Sequence, residues 1–239
     1  DAAVLGALAR EARTHGLRLI AVAPDDRGAR RFAEGVAFFS PDVLVIDFPA
    51  WDCLPYDRVS PRVDLLSRRM AALGRLGAPL GDGPELVITT ASAVLQRVPP
   101  RAFVRSTART LAIDDKIGPD ELIELALSNG YDRAETVVEP GEVARRGGIV
   151  DLFPPGVEEP VRIDFFGEEI ESIRTFAADT QRSSGRIEAF VLMPVREFRL
   201  DPESIARFRQ GYREGFGRSP DARPRALAVL AARTDGNPV

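Results

Sequence analysis

Lysine is almost missing from this 239-residue chain: Lys116 is the only one among 32 basic residues. Histidine and cysteine are as scarce, with His15 and Cys53 the single examples. Each shortage excludes a chemistry. One cysteine cannot close an internal disulfide, and it fits a reducing cytoplasm. With nothing nearby set to ionise it, Cys53 is expected to be a small buried apolar residue. One histidine cannot furnish a zinc site, which takes several His or Cys ligands. His15-Gly16 reads as a helix-end turn ahead of a strand, not as the base of a Ser-His-Asp arrangement. A phosphate-binding loop of the form G-x-x-x-x-G-K-[ST] needs its lysine among glycines. Lys116 stands instead in Asp114-Asp115-Lys116-Ile117-Gly118, beside carboxylates that repel phosphate. No catalytic residue, cofactor or metal is therefore expected, and ATP should be neither bound nor hydrolysed.

Long apolar runs are absent too. Nothing approaches the roughly 18 residues that span a bilayer, so no membrane helix is predicted. The start, Asp1-Ala2-Ala3-Val4, lacks the basic segment and apolar run of a signal peptide. Its first residue is not Met, as expected of a fragment or a trimmed chain. Positive charge is not in excess: the formal net charge is −4. That argues against a dedicated nucleic-acid binder and makes DNA binding weak or absent. What remains is 44% hydrophobic and 28% charged, the composition of a globular protein with room for one large domain or two ordinary ones.

The first half alternates strand and helix. Apolar runs at 17–23, 43–46 and 86–89 predict buried strands. Asp25 or Asp26 caps a helix over 28–39. Ser60-Pro61 opens another, with Val63, Leu66, Met70 and Leu73 on one face and a stop near Gly77. This alternation predicts a parallel α/β layer. Val45-Ile46-Asp47 resembles a Mg²⁺-binding acid only faintly; a polar residue where a strand leaves the core is the better reading. The pattern changes near Thr107. A strand at 111–113 and a helix opening at Gly118-Pro119-Asp120 come next. The helix turns Leu122, Ile123, Ala126 and Leu127 inward and closes at Gly130. Short strands follow at 134–138, 149–153, 161–166, 169–176 and 186–193, with turns at Glu139-Pro140-Gly141, Pro154-Pro155-Gly156 and Gly167-Glu168. Glu168-Glu169 is expected to be solvated there. This is an antiparallel meander with one helix, an α+β unit. A polar helix over 202–215 precedes a Pro/Arg/Ala-rich tail, partly disordered by composition after Gly217.

One segment points to binding. In Val161-Arg162-Ile163-Asp164-Phe165-Phe166 the alternation puts Val161, Ile163 and Phe165 on the core face. Arg162, Asp164 and Phe166 fall on the other. An exposed aromatic near an arginine resembles a protein-binding hot spot, unless Phe166 curls inward at the turn or lies under a helix. Substitution of Arg162 or Phe166 should leave folding nearly untouched, and Phe165→Ala should cost about 3–5 kcal/mol. Arg145-Arg146, just upstream, either reach a partner's carboxylates or sit in a solvated turn.

Several ordered motifs then carry a family resemblance. They are Gly141-Glu142-Val143-Ala144-Arg145-Arg146-Gly147-Gly148-Ile149-Val150-Asp151-Leu152-Phe153-Pro154, Pro160-Val161-Arg162-Ile163-Asp164-Phe165-Phe166 and Thr180-Gln181-Arg182-Ser183. Upstream stand Phe48-Pro49-Ala50-Trp51-Asp52-Cys53-Leu54-Pro55-Tyr56-Asp57 and Thr89-Thr90-Ala91-Ser92-Ala93-Val94-Leu95-Gln96-Arg97. Together, from about 17 to 216, the chain resembles the bacterial transcription–repair coupling factors (Mfd). It shares with them and with the excision-repair helicase UvrB a UvrA-binding domain. The missing phosphate loop departs from UvrB. So does the short connector at 54–61, where UvrB has an aromatic-rich hairpin and this chain a lone Tyr56.

The resemblance implies a P-loop-less, UvrB-like parallel-sheet domain over 1–112 and a small inserted α+β UvrA-binding domain over 113–194. A return segment of the first domain follows over 195–239. It further implies a non-catalytic, cytoplasmic adaptor that recruits UvrA to RNA polymerase stalled at a lesion. Arg146, Arg162 and Phe166 match the family's UvrA-contacting residues, with Arg145 and Arg174 as lesser candidates. The rest of the full-length protein is implied to mask this face. An ATP-dependent UvrB-type helicase and a DNA-binding module are the competing readings.

Overall fold

A computed structural model describes residues 1–53, 61–199 and 201–216. Tyr56, Ser60 and the tail after Gly217 lie outside the described residues.

Helix α1 (Ala2–Thr14) ends at His15-Gly16 and leads into strand β1 (Leu19–Ala23). Helix α2 (Asp26–Phe39) precedes β2 (Leu44–Phe48), and α3 (Val63–Gly77) precedes β3 (Glu85–Thr90). Of the two candidate caps, Asp25 holds α2: its carboxylate accepts the Gly28 N–H at 2.7 Å. β3 lies between β1 and β2, and both pairings are parallel, as the alternation predicts. Burial corrects the expectation of three buried strands. Every residue of β3 is buried, but Ile20, Val22 and Leu44 are exposed. A strand needs cover on both faces to be wholly apolar inside; β1 lacks it on the face of Ile20 and Val22, and β2 lacks it at Leu44. On one side α1 and α2 pack Ala9, Ala29 and Val36 against Ala21, Ala23, Leu86 and Ile88. On the reverse side α3 meets Ile46, Phe48 and Val87 through Ala72. Cys53 is half-buried, not buried.

Two short helices, α4 (Ala91–Leu95) and α5 (Arg101–Thr107), lead to β4 (Arg109–Ala112). β4 pairs antiparallel with β11 (Ala189–Leu192). Between them come α6 (Pro119–Ser128), β5 (Asp132–Arg133), β6 (Glu142–Arg146), β7 (Ile149–Leu152), β8 (Val161–Phe166), β9 (Glu169–Phe176) and β10 (Ser183–Ile187). The last six form one sheet in the order β10-β9-β8-β7-β6-β5, antiparallel except at β5–β6. Helix α6 lays Leu122, Ile123 and Ala126 on one face, against Val143, Val150, Leu152, Val161, Ile163, Ile170 and Ile173. Helix α7 (Pro202–Phe216) ends the described chain.

Two expected strands differ. Residues 134–138 leave the sheet after β5, because Val137 buries with Ala144, Phe153 and Phe176 on the sheet's second face. The single strand expected at 186–193 is two, β10 and β11, which serve different sheets.

A buried polar junction ties α3 to the chain after β11. Arg69, fully buried, donates to Glu197 from Nε at 2.5 Å and to Pro49 O and Gln96 Oε1 from Nη1 at 2.8 and 3.0 Å. Its guanidinium stacks 4.4 Å from the Phe48 ring centroid. The Trp51 indole N–H also donates to Glu197, at 3.0 Å. Helix periodicity separates Arg69 from its neighbour: Arg69, three residues after Leu66 and four before Leu73, borders the apolar face, whereas Arg68 turns away and pairs in the open with Asp47 at 2.9 Å.

Candidate partner-binding face

Strand alternation builds the second face of the six-stranded sheet, the one turned away from α6. On β8, Val161 and Ile163 are buried and Phe165 packs partly against the core. Arg162 and Asp164 point the other way, and Phe166 is 80% exposed. The pairing shifts between Asp164 and Phe165, from Ser172 to Ile170 on the partner strand. The extra residue, Glu171, is therefore on β9. A bulge on one strand leaves the partner's alternation intact, so β8 keeps its parity. The same bulge explains why Ile170 and Ile173, three apart, both reach the core.

Two tight hairpins present the ends of this face. Gly147, at φ +62°, turns β6 into β7, and Gly167, at φ +65°, turns β8 into β9. Both angles are left-handed, where glycine carries no Cβ penalty. Phe166 stands beside the second turn. Glu169, on its far side, pairs with Lys116 in a solvent-exposed contact.

At the centre Asp151 is buried beneath arginines. It is cross-strand from Arg162, which grips it with two hydrogen bonds: Nε to Oδ1 at 2.8 Å and Nη2 to Oδ2 at 2.9 Å. Arg162 Nη1 donates to Gln181 O at 3.2 Å, and its guanidinium stacks 4.5 Å from the Phe176 ring centroid. Its hydrogen bond to Asp151 raises the guanidinium above its usual pKa. Arg146, half-exposed, reaches the same carboxylate at 3.8 Å. Arg174, cross-strand from Arg162, pairs with Asp164 at 2.5 Å.

The structure thus gathers Arg146, Arg162, Arg174 and Phe166 on one face. Arg145 does not join them. It lies on the α6 side, paired with Asp120 and bonded to Gly147 O at 3.1 Å. Arg162 also departs from expectation, because it is the lid of a small second core and not a loosely held surface charge. An ion pair over Phe176, Phe153 and Ala144 gives the face an ordered floor. Sequence reasoning missed Asp151 in that role. Its signal was there: an acid inside the apolar run Ile149-Val150-Asp151-Leu152-Phe153, at the parity of the arginine-bearing face.

Elsewhere the expected chemistry has other uses. His15 closes α1 and meets Glu11 at 3.1 Å. The N-terminus of α2, where a parallel sheet offers an anion site, already holds the Asp25 carboxylate. Among the described residues no helix is long and apolar enough to cross a membrane.

Comparison with known proteins agrees with this geometry. The family model of the UvrB interaction domain matches residues 110–198. The chain is 35% identical over 209 residues to the transcription-repair-coupling factor of Escherichia coli, covering 87% of this chain and 18% of that protein. It is 37% identical over 199 residues to the Haemophilus influenzae protein of that name, covering 83% and 17%. For the Myxococcus xanthus protein the identity is 34% over 207 residues, covering 82% and 17%. The chain thus spans under a fifth of the length of the curated relatives it matches. With a UvrB interaction domain at 110–198 and this likeness along most of its length, the chain belongs to the transcription-repair-coupling factor family.

Proposed function

We propose that this chain is a non-catalytic adaptor that recruits UvrA in transcription-coupled excision repair. One observation carries the reading: within the matched UvrB interaction domain, an aromatic that is 80% exposed stands on the same sheet face as an ordered arginine cluster. A large ring open to water beside arginines is what the centre of a protein interface looks like before its partner arrives. Arg146, Arg162 and Phe166 form the centre of the contact, with Arg174 at its flank. Arg145 contributes by holding the hairpin that carries Arg146.

The layout we infer is a P-loop-less, UvrB-like α/β domain over 1–112, an inserted α+β docking domain over 113–194, and a return segment over 195–239. Its support is a single core drawn mostly from within 113–194, from Ile117 to Leu192, which Leu111 and Val195 join from just outside its bounds. In the full-length protein, the remaining domains mask the face until the motor engages. The absence of a glycine-rich lysine loop and the Asp25 cap at the α2 N-terminus favour a chain that does not use ATP. A net charge of −4 favours weak or no DNA binding.

The test is capture of purified UvrA by this chain, with Phe166→Ala beside it. The parent should retain UvrA and the variant should lose it, while ATP titration by calorimetry stays flat for both. Equal capture by both proteins would overturn the assignment of the face.

A further inference from the structure

The pairing registers line up a feature that no motif contains. Arg162 on β8 is directly opposite Arg174 on β9, and Arg174 is directly opposite Arg186 on β10. Residues opposite one another share a sheet face, so three arginines stand side by side across three neighbouring strands. Ile187, next to Arg186, packs against the α6-side core opposite Ile173, which fixes the face of Arg186 as the other one. Strands lie about 4.8 Å apart, so the row is about 10 Å long.

Such a row is unfavourable on its own, because like charges directly opposite destabilise a sheet. Internal carboxylates relieve only part of it. Asp151 serves Arg162 and Asp164 serves Arg174. Arg186 is exposed and has no ion-pair partner among the described residues. With Arg146 included, four arginines share two ion-paired carboxylates, Asp151 and Asp164, in a chain whose net charge is −4. Toward the β10 edge, no carboxylate among the described residues pairs with Arg186.

We propose that Arg186 extends the docking face into a cationic row, Arg162–Arg174–Arg186, that receives carboxylates of the partner protein beside the contact made by Phe166. The proposal rests on the reading that this face docks UvrA, and it adds a residue and a chemistry to it. Guanidinium forks suit carboxylates, which they bind bidentately. Phe166 lies four residues along β8 from Arg162, roughly 13 Å at strand spacing. The partner therefore presents an apolar pocket and, about that far away, an acidic patch. Nucleic-acid phosphate would suit the same forks, but the net charge of −4 on the chain favours a protein partner, and the duplex arm of the experiment separates the two.

Binding of UvrA to the full 239-residue chain is measured at about 0.1 M and 0.5 M salt, for the parent, Arg186→Ala, Arg186→Glu and Phe166→Ala. Labelled duplex DNA is titrated in parallel. At low salt Arg186→Ala should weaken UvrA binding about fivefold and Arg186→Glu more than about tenfold, a size typical of charge reversal at an interface. At high salt both losses should shrink, because exposed charges are screened. The unfolding midpoint should not move. If Phe166→Ala loses UvrA while Arg186→Glu binds like the parent, the row is wrong and the docking reading stands. If both variants bind like the parent, the docking reading falls and takes the row with it. Duplex binding that depends on Arg186, with UvrA binding indifferent to it, reassigns the row to phosphate and overturns the proposal.

Discussion

Arg162 and Asp151 face each other across β7 and β8, joined by two hydrogen bonds of 2.8 and 2.9 Å, with the carboxylate 1% exposed and the guanidinium side chain 15% exposed. This pair makes Arg162 a structural residue as well as a candidate contact. Removing one partner of a buried pair strands the other charge, at about 3–5 kcal/mol. Arg162→Ala should therefore lower stability by about 3 kcal/mol in denaturant unfolding, since Arg146 and some solvent remain for Asp151. Arg162→Lys should recover only part, because an ammonium cannot reproduce the two-pronged grip. An Arg162→Ala midpoint equal to the parent's would show that the pair contributes nothing. Loss of UvrA binding by Arg162→Ala is consequently not proof of a contact, and Phe166→Ala is the cleaner probe.

How far this was legible in the sequence depends on the range of the signal. Strand parity on β8 has a period of two and needs six residues, so Ile163 inside and Phe166 outside could be read directly. Asp151 could have been placed with Arg162 by the same rule. Arg186 could not. Its place in the row depends on register shifts on both sides of β9, at Asp164/Phe165 and at Ser183/Gly185; the first shows in the spacing of Ile170 and Ile173, but the second, in Ser183-Ser184-Gly185, leaves no mark in hydrophobic pattern. Arg69 was hidden for another reason: its partner Glu197 lies 128 residues away, and helix periodicity, which puts Arg69 beside the apolar face, does not report what a charge there would pair with. The exposure of Ile20 and Val22 was missed because an apolar run says a strand is there without saying how many faces are covered.

Glu85 gives the first domain an acid-sensitive point. Burial alone pushes its carboxyl up, but hydrogen bonds from Arg18, the Gly81 N–H and Arg75 outweigh that and hold it below its ordinary range. A depressed folded pKa contributes stability above the unfolded value, about 4.3 for Glu, and that stability is lost as pH falls through the lower folded value. Glu85→Gln should cost about 2 kcal/mol near neutrality, where charged hydrogen bonds are lost. The gap between parent and variant should close below about pH 4. A gap that stays constant down to the acid transition would contradict the assignment.

Trp51 reports on the junction around Arg69. It is the only tryptophan, its indole N–H is bonded to Glu197, and Arg69 lies 5.4 Å from its ring centroid. Glu197→Ala leaves the buried Arg69 without its carboxylate and should cost about 3–5 kcal/mol. Trp51 emission should shift to the red as water reaches the indole. Stability lost with no change in emission would mean that Trp51 is anchored by other contacts.

The sharpest comparison is between adjacent phenylalanines. Phe166 is 80% exposed at the β8–β9 turn, so Phe166→Ala should stay within about 0.5 kcal/mol of the parent in unfolding, as surface changes do. Its cost should appear in UvrA binding, about 2 kcal/mol for a hot-spot aromatic. That is roughly a thirtyfold loss of affinity. Phe165 packs against the core from a half-buried position. Its truncation should fall below the 3–5 kcal/mol of a fully buried phenylalanine, at about 2 kcal/mol, with UvrA binding kept while the protein is folded. The two effects are opposite in kind although the residues are neighbours, because one residue along a strand reverses the face. Thermal melts and UvrA titrations on both variants decide it. Phe166→Ala melting early while Phe165→Ala melts like the parent would place the bulge on β8 and turn Phe166 inward, and the docking face would have to be rebuilt around the arginines alone.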